Sequence, residues 1–239
     1  MPASRSTAFA VFAILTAGVP TAGAAVLFNQ TGNNPEVNAT ASGSAEFTVV
    51  GNTMAVVLTN TTNPRTAAQG NVLTGVTFDI DDNASPLLAF TGIVLNGAST
   101  IWTSETSSNA VDALAGSWTT VLGASPLGEY GVATTGFNGR FNGGSVSLGN
   151  AGPNYGIVAP GTFDGTDVAF GGSQFPFVQE SLRFTFTGVS GISESQISNV
   201  KIVFGTDGTG VLPEPGCSAL AGLTLAGLAS RRRRQARAA

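Results

Sequence analysis

The sequence predicts an all-β protein with one antiparallel β-sandwich or jelly-roll-like domain, and two observations support this. Charged residues make up only 10% of the chain, and Gly, Thr, Ser and Asn are abundant in their place. Thr is β-branched and favours strands, whereas Gly and Asn favour tight turns. Short stretches of alternating apolar and polar residues recur along the chain, and turn residues bound them.

The individual strands are predicted from this alternation. Met54, Val56 and Leu58 share one face of an early strand, and Val72 to Ile80 forms the next clear one. Leu182 to Thr187 and Asn199 to Phe204 alternate in the same way. Further strands are predicted at Glu46–Val50, Leu87–Leu95, Thr100–Thr103, Ser117–Leu122, Tyr130–Thr134 and Tyr155–Val158, with one short helix at Ser107–Leu114. The sequence has no internal repeat or linker, so it predicts a single domain.

The first 24 residues have the features of a secretory signal peptide. Arg5 supplies a positive charge, and Ala8 to Val19 is an apolar segment too short to span a bilayer comfortably. Pro20 ends this segment, and Ala22-Gly23-Ala24 places small residues at a cleavage site. We expect cleavage after Ala24, which leaves residues 25–210 as the β domain.

A sorting tail is predicted at residues 211–239. Pro213, Glu214 and Pro215 hold the chain extended, where a processing enzyme can reach it. An uncharged segment rich in Leu, Ala and Gly follows, with helical potential but with little length for a transmembrane helix. Four arginines then form a basic cluster that is expected to stay in the cytoplasm: Arg231, Arg232, Arg233 and Arg234. The tail is therefore predicted to be a transient stop-transfer anchor.

This order of elements resembles the PEP-CTERM sorting signal of exosortase-dependent surface proteins of Gram-negative bacteria. Pro213, Glu214 and Pro215 match the Pro-Glu-Pro motif residue by residue. The resemblance implies export by the secretion machinery, transient insertion in the inner membrane, and cleavage near the motif by an exosortase-type enzyme. It also implies that the mature protein is secreted to the cell surface or the extracellular matrix.

The body is also similar to a recurring class of such surface proteins. The similarity rests on the segments Leu73–Ile80, Tyr155-Gly156-Ile157 and Ile197-Ser198-Asn199-Val200, and on Phe204-Gly205-Thr206 just before the tail. It covers most of the chain through strand and turn sequences. What it implies is a shared surface domain, with no catalytic residues to transfer to this chain.

Composition excludes several chemistries. The chain has no histidine, so it lacks the commonest general base and metal ligand and cannot form a Ser-His-Asp triad. Its single cysteine, Cys217, lies in the predicted tail. The predicted β domain has four basic residues against thirteen acidic ones, a balance that repels nucleic acid. We therefore expect a protein that is not an enzyme, that uses no cofactor, and that has a structural or adhesive role.

A calcium site is a weaker hypothesis. Asp79, Asp81 and Asn83 have the first spacing of an EF-hand loop. However, Ala84 replaces the glycine of that loop, and Phe90 replaces its bidentate glutamate. The favoured interpretation is a strand that leads into an Asp/Asn-rich turn, and a looser surface calcium site is the alternative.

Two further functions are alternatives. Trp102 and Trp118 would be the platforms of a lectin-like module that binds exopolysaccharide, although core packing is the favoured interpretation of such residues. A glycan hydrolase would need two facing carboxylates, and it is the least favoured function. Its candidates, chosen by residue type alone, are Glu105, Asp112, Glu129 and Glu180.

Overall fold

The structure is a computed structural model. It describes residues 23–34, 39–63, 65–66, 69–81, 88–104, 107–109, 114, 117–122, 128–134, 155–162, 176–205 and 210–212. These residues form fourteen strands and two short 3-10 helices, Gln69–Asn71 and Glu194–Gln196. Residues 1–22 of the predicted signal peptide and residues 213–239 of the predicted tail lie outside the described part.

Five long strands form one layer of the fold. They are β1 (Ala25–Asn34), β2 (Ala39–Val50), β3 (Thr53–Asn60), β5 (Ala89–Leu95) and β12 (Ser181–Thr187). All pairings are antiparallel, and the strand order is β1-β2-β3-β12-β5. Side chains alternate between the core and the solvent, as the period of two requires. In β2, Ala45, Phe47 and Val49 are buried, whereas Glu46 between them is exposed.

Nine mostly shorter strands form the second layer. They are β4 (Leu73–Ile80), β6 (Thr100–Ser104), β7 (Ser107–Asn109), β8 (Trp118–Leu122), β9 (Tyr130–Thr134), β10 (Ile157–Val158), β11 (Phe177–Gln179), β13 (Ile197–Phe204) and β14 (Gly210–Leu212). Strand β4 is central, with β13 on one side and both β9 and β10 on the other. The sheet therefore forks at β4, and β8 extends one branch while β11, β6 and β7 extend the other.

Aromatic side chains join the two sheets in the core. The ring of Phe78 in β4 lies 5.1 Å from that of Phe47 in β2 and 6.2 Å from that of Phe186 in β12. Both pairs meet edge to face, the arrangement that aromatic quadrupoles favour. Most buried apolar side chains of both sheets belong to this one cluster.

Two strand glycines allow the close packing of this core. A Cβ atom on Gly131 of β9 would lie only 2.4 Å from the carbonyl oxygen of Val76 in the neighbouring strand. A Cβ atom on Gly43 of β2 would lie 3.0 Å from the ring of Phe204. Each glycine therefore stands where a neighbour comes too close for a larger residue.

The all-β prediction is confirmed, and its errors are local. The predicted helix at Ser107–Leu114 is wrong for Ser107–Asn109, because these residues form β7 and pair with β6. Pairing with a neighbouring strand thus overrides local preference. Strand β14 extends the sheet to Leu212, two residues beyond the predicted domain boundary. Strands β1, β11 and β14 were not predicted.

Candidate functional site

Strand β4 runs between two polar clusters, one near each of its ends. The Asn60 cluster adjoins its first residue and consists of Asn60, Thr62, Thr66, Asn71 and Thr162, all of which are buried. The second cluster surrounds Asp79, near the last residue of the strand. Of the described polar candidates, Asp79 belongs to the second cluster, Glu129 contacts Asp79, and Glu180 contacts the Asn60 cluster.

Asn60 lies at the centre of its cluster and is fully buried. Its side-chain nitrogen donates to the carbonyl oxygens of Asn71 (3.0 Å) and Ile157 (2.8 Å). Its side-chain oxygen accepts the backbone N–H of Thr62 at 3.1 Å. Its own backbone N–H donates to the carbonyl of Glu180 at 3.1 Å. One residue thus ties the end of β3 to β10, to the turn before β4 and to the chain before β12.

A chain of hydrogen bonds leads from this cluster to Trp102. The Thr66 backbone N–H donates to the hydroxyl of Thr162 at 3.1 Å, while the Thr66 hydroxyl accepts the N–H of Ala159 at 2.9 Å. The Thr162 carbonyl accepts the side-chain amide of Gln179 at 2.7 Å. The indole N–H of Trp102 donates to the other atom of that amide, Oε1 of Gln179, at 3.1 Å. The half-buried indole of Trp102 is therefore held in a fixed orientation.

Trp118 has a different environment from Trp102. Its side chain is only 3% exposed, and its ring lies 4.9 Å from that of Phe184. Its indole N–H donates to the carbonyl of Tyr155 at 3.1 Å. The platform prediction is wrong for Trp118, because burial in the core leaves no face for a glycan. For Trp102, which packs beside Val72 and remains half-buried, the prediction stays open.

The carboxylate of Asp79 has a structural role at the other end of β4. Its Oδ1 accepts the backbone N–H of Glu129 at 2.8 Å, and its Oδ2 accepts the side-chain amide of Asn199 at 2.7 Å. Asn199 has a φ of 49° and lies where the register of β13 against β4 shifts. A positive φ costs free energy for most residues in a strand, but Asn adopts this left-handed conformation more readily than most. Asp79 thus stabilises this bulge and the entry to β9.

The other two calcium candidates are Asp81 and Asn83. The side chain of Asp81 is exposed, and its backbone N–H and C=O both bond to Gln196, at 2.7 and 2.8 Å. Asn83 lies outside the described residues. In the part of the chain that is described, no group of three acidic, cysteine or histidine side chains could hold a metal ion. Asp79 lies inside β4 and its carboxylate contacts are to neighbouring strands, whereas the predicted turn after Asp81 lies outside the described residues. The looser calcium site stays an untested alternative.

The described carboxylate candidates for hydrolysis do not face each other. Glu129 is exposed at the Asp79 end of β4, whereas Glu180 contacts the Asn60 cluster at the other end. Glu180 joins β11 of one sheet directly to β12 of the other, with a φ of 85°. The backbone of Glu180 therefore forms the corner at which the chain passes from one sheet to the other. Glu105 and Asp112 lie outside the described residues.

The predicted sorting motif follows a paired strand. Val211 and Leu212 of β14 pair with Val203 and Ile202 of β13, and Pro213 comes next in the chain. The motif itself, Pro213 to Pro215, and the arginines 231–234 lie outside the described residues. Among the residues that the structure does describe, none belongs to a helix long and apolar enough to cross a membrane.

Gln30 is a structural residue that the sequence analysis missed. Its buried side-chain amide donates to the carbonyl of Val200 and accepts the N–H of Ile202 at 2.8 Å. These two bonds reproduce what the backbone N–H and C=O of one residue in a parallel neighbouring strand would form with β13. The side chain therefore connects β1 of one sheet to β13 of the other. No signal in the sequence distinguishes Gln30 from the other amides of β1.

Comparison of the chain with protein-family models, with curated proteins and with solved structures finds no match.

Proposed function

We propose that this chain is an exported surface or extracellular-matrix protein that an exosortase-type enzyme processes near Pro213–Pro215. The observation that carries the proposal is the position of the fold between the two predicted processing sites. Strand β1 begins at Ala25, directly after the expected signal cleavage, and β14 ends at Leu212, directly before Pro213. Removal of both terminal segments would leave every described strand in place.

The exposed face of the five-stranded sheet supports a structural or adhesive role. The hydroxyl groups of Thr31, Ser42 and Thr61 form a chain across the sheet, with both oxygen–oxygen distances 2.8 Å. These hydroxyls are exposed and can bond to water or to sugar hydroxyls. A surface with many hydroxyls and few charges suits contact with a hydrated polysaccharide matrix.

A glycan-binding module is the second candidate, and Trp102 is the observation that favours it. Its indole is half-buried, and the amide of Gln179 fixes its orientation. A ring held beside polar groups is suited to stack on a sugar. Binding to immobilised exopolysaccharide that Trp102→Ala abolishes and Trp118→Phe preserves would favour this function over a purely structural one.

A motif variant tests the export proposal in the producing bacterium. We expect the wild-type chain to be recovered outside the cell without its tail, and the variant Pro213→Ala/Glu214→Ala/Pro215→Ala to remain uncut in the inner membrane. A matched control carries three alanines just upstream, at Thr206, Asp207 and Thr209, and should be processed like the wild type. Release of the motif variant at the wild-type level would contradict the proposal.

A further inference from the structure

We propose that the carboxylate of Glu194 binds the α-ammonium group that signal-peptide cleavage creates on Ala25. The ligand is thus the new N-terminus of the chain itself, and the pairing fixes the start of β1 in the mature protein. This pairing depends on the proposed export, because only cleavage after Ala24 creates the charged group in the cell.

The ladder between β1 and β2 ends at the expected cleavage site. Its last pair is Ala25 with Thr48, and Val49, the next residue of β2, pairs only with β3. Successive residues of an antiparallel strand direct their N–H and C=O groups to opposite neighbours. The carbonyl oxygen of Val49 lies against Gly23, so the backbone groups of Val49 point toward the chain before β1. Continuation of the ladder would bond the Val49 N–H to the carbonyl oxygen of Ala24.

The carboxylate of Glu194 takes the place of that carbonyl oxygen. Its Oε1 accepts the backbone N–H of Val49 at 2.8 Å. In a peptide chain, the carbonyl oxygen of one residue and the nitrogen of the next are bonded to the same carbon and lie about 2.3 Å apart. An oxygen at the position of the Ala24 carbonyl is therefore within hydrogen-bond reach of the Ala25 nitrogen. Once Ala24 is removed, this nitrogen can turn one of its three N–H bonds toward the carboxylate.

In the uncut chain, a neutral backbone segment lies against this carboxylate. A Cβ atom on Gly23 would lie 2.7 Å from Oε1 of Glu194 and would overlap the carbonyl oxygen of Val49. Cleavage after Ala24 removes Gly23 and leaves a charged nitrogen at the start of β1. The carboxylate thus exchanges a neutral neighbour for an ammonium group, and a hydrogen bond between two charged groups is about twice as strong as one between neutral groups.

Glu194 is held in position by the fold. It is the first residue of the short 3-10 helix Glu194–Gln196. The carbonyl of Gln196 accepts the backbone N–H of Asp81 at 2.7 Å, and its side-chain amide donates to the Asp81 carbonyl at 2.8 Å. The side chain of Glu194 is half-buried, and among the described residues it forms no ion pair. A fixed carboxylate without a cation is suited to receive the ammonium group.

Glu46 is a second carboxylate near the start of β1 and serves as the matched control. It lies opposite Leu27, two residues before Thr48 on β2, and its side chain is exposed. Two residues of a strand correspond to about 7 Å, so Glu46 lies farther along β1 from the new N-terminus. Glu46 has the same charge as Glu194 but does not occupy the end of the ladder. An effect of net charge alone would therefore be equal for the two residues.

Amine labelling tests the pairing in the chain from Ala25 to Ala239, kept in mild detergent. A protease removes an N-terminal fusion and leaves Ala25 as the first residue. Acetic anhydride at neutral pH modifies only deprotonated amines, and mass spectrometry compares the α-amino group with Lys201, the only lysine of the chain. We expect Glu194→Gln to raise the labelling rate of Ala25 relative to Lys201 about three- to fivefold, because the ammonium group loses its partner. Glu46→Gln should leave this ratio nearly unchanged.

Urea unfolding provides a second measurement. In a Lys201→Arg background, acetic anhydride modifies the α-amino group and no lysine. We expect this acetylation to raise the equilibrium constant of unfolding about threefold when Glu194 is present, and to change it little in Glu194→Gln. The glutamine keeps an oxygen for the Val49 N–H, so the comparison isolates the charge from the structural hydrogen bond.

Equal labelling ratios in the wild type and Glu194→Gln would overturn the pairing. An increase of the same size in Glu46→Gln would also overturn it, as would an equal effect of acetylation with and without Glu194. The protease sets the first residue in these chains, so the measurements do not depend on export. A native protein that begins elsewhere than at Ala25 would refute the proposed signal cleavage, whereas a native chain that begins at Ala25 but shows no effect of Glu194→Gln would refute only the pairing.

Discussion

The two ends of β4 connect the strands of the sandwich with different chemistry. At the Leu73 end, the Asn60 cluster uses neutral amide and hydroxyl groups, and its central residue is fully buried. At the Ile80 end, a half-buried carboxylate, Asp79, holds β9 and β13. Burial of a charge costs far more than burial of an amide that keeps its hydrogen bonds. The fully buried junction therefore uses neutral groups, whereas the charged junction lies where water still reaches the side chain.

Asn60→Ala should have the largest effect of the substitutions at the two ends. It removes the bonds donated to Asn71, Ile157 and, at a longer distance, Thr66, as well as one accepted bond. It leaves the carbonyls of Asn71 and Ile157 buried without their partner. We expect the free energy of unfolding in urea to fall by about 3 kcal/mol. The control Asn29→Ala, on the exposed face of β1, should change it by less than about 0.5 kcal/mol. Equal effects of the two variants would show that the buried bonds of Asn60 contribute no more to stability than an exposed amide does.

Thr66→Val measures the contribution of a single hydroxyl group in the Asn60 cluster. The substitution keeps the shape of the side chain but removes the hydroxyl that accepts the N–H of Ala159. We expect a loss of about 1–2 kcal/mol in the free energy of unfolding, because this N–H is buried. Thr48→Val, on the solvent-facing side of β2, is the matched control and should be nearly neutral. An equally small change in both variants would show that the hydroxyl network contributes little.

Asp79→Asn should have a smaller effect at the other end. An asparagine oxygen can accept one of the two hydrogen bonds, and the side chain is only half-buried, so we expect a loss of about 1 kcal/mol. The same urea titration measures it. Because both carboxylate oxygens already accept hydrogen bonds, we also expect millimolar calcium to leave the unfolding midpoint of the wild type unchanged. A calcium-dependent increase that Asp79→Asn abolishes would instead establish the calcium site.

Glu180→Gly should give the smallest change, with the opposite sign. Glycine adopts the φ of 85° at this corner without strain, although it gains more entropy in the unfolded chain. We expect the two effects to leave a stabilisation of about 0.5–1 kcal/mol. In β2, Glu46→Gly should instead destabilise by about 1 kcal/mol, since an extended strand offers no strain to relieve. A clear destabilisation by Glu180→Gly would mean that its side chain contributes more to the fold than its backbone conformation costs.

Regular alternation explains which strands could be predicted from the sequence. Leu182, Phe184 and Phe186 alternate with polar residues, and β12 is a full strand with one buried and one outer face. Strand β1 was missed because amides and glycine break its apolar pattern, and β11 was missed because it has only three residues. Pairing with neighbours, rather than local sequence, forms such strands.

The sequence could predict candidate site residues only where the residue type itself indicates a role, as a charged side chain does. Asp79 attracted attention because it is charged, yet its role depends on Asn199, which is 120 residues away in sequence. Asn60 and Gln30 are neutral amides among many, and only the fold shows that both are buried and bonded across strands. The burial of Trp118 depends in the same way on its position against Phe184 in the other sheet.

Export and processing are best tested by the intact mass of the native protein, recovered from its own bacterium after cell fractionation. We expect an extracellular or surface-bound chain that begins at Ala25 and ends near Pro215, so that the β-sandwich from β1 to β14 is complete. A chain that keeps Arg231–Arg234 and remains in the inner membrane would show that the proposed processing is wrong and that the tail is a permanent anchor.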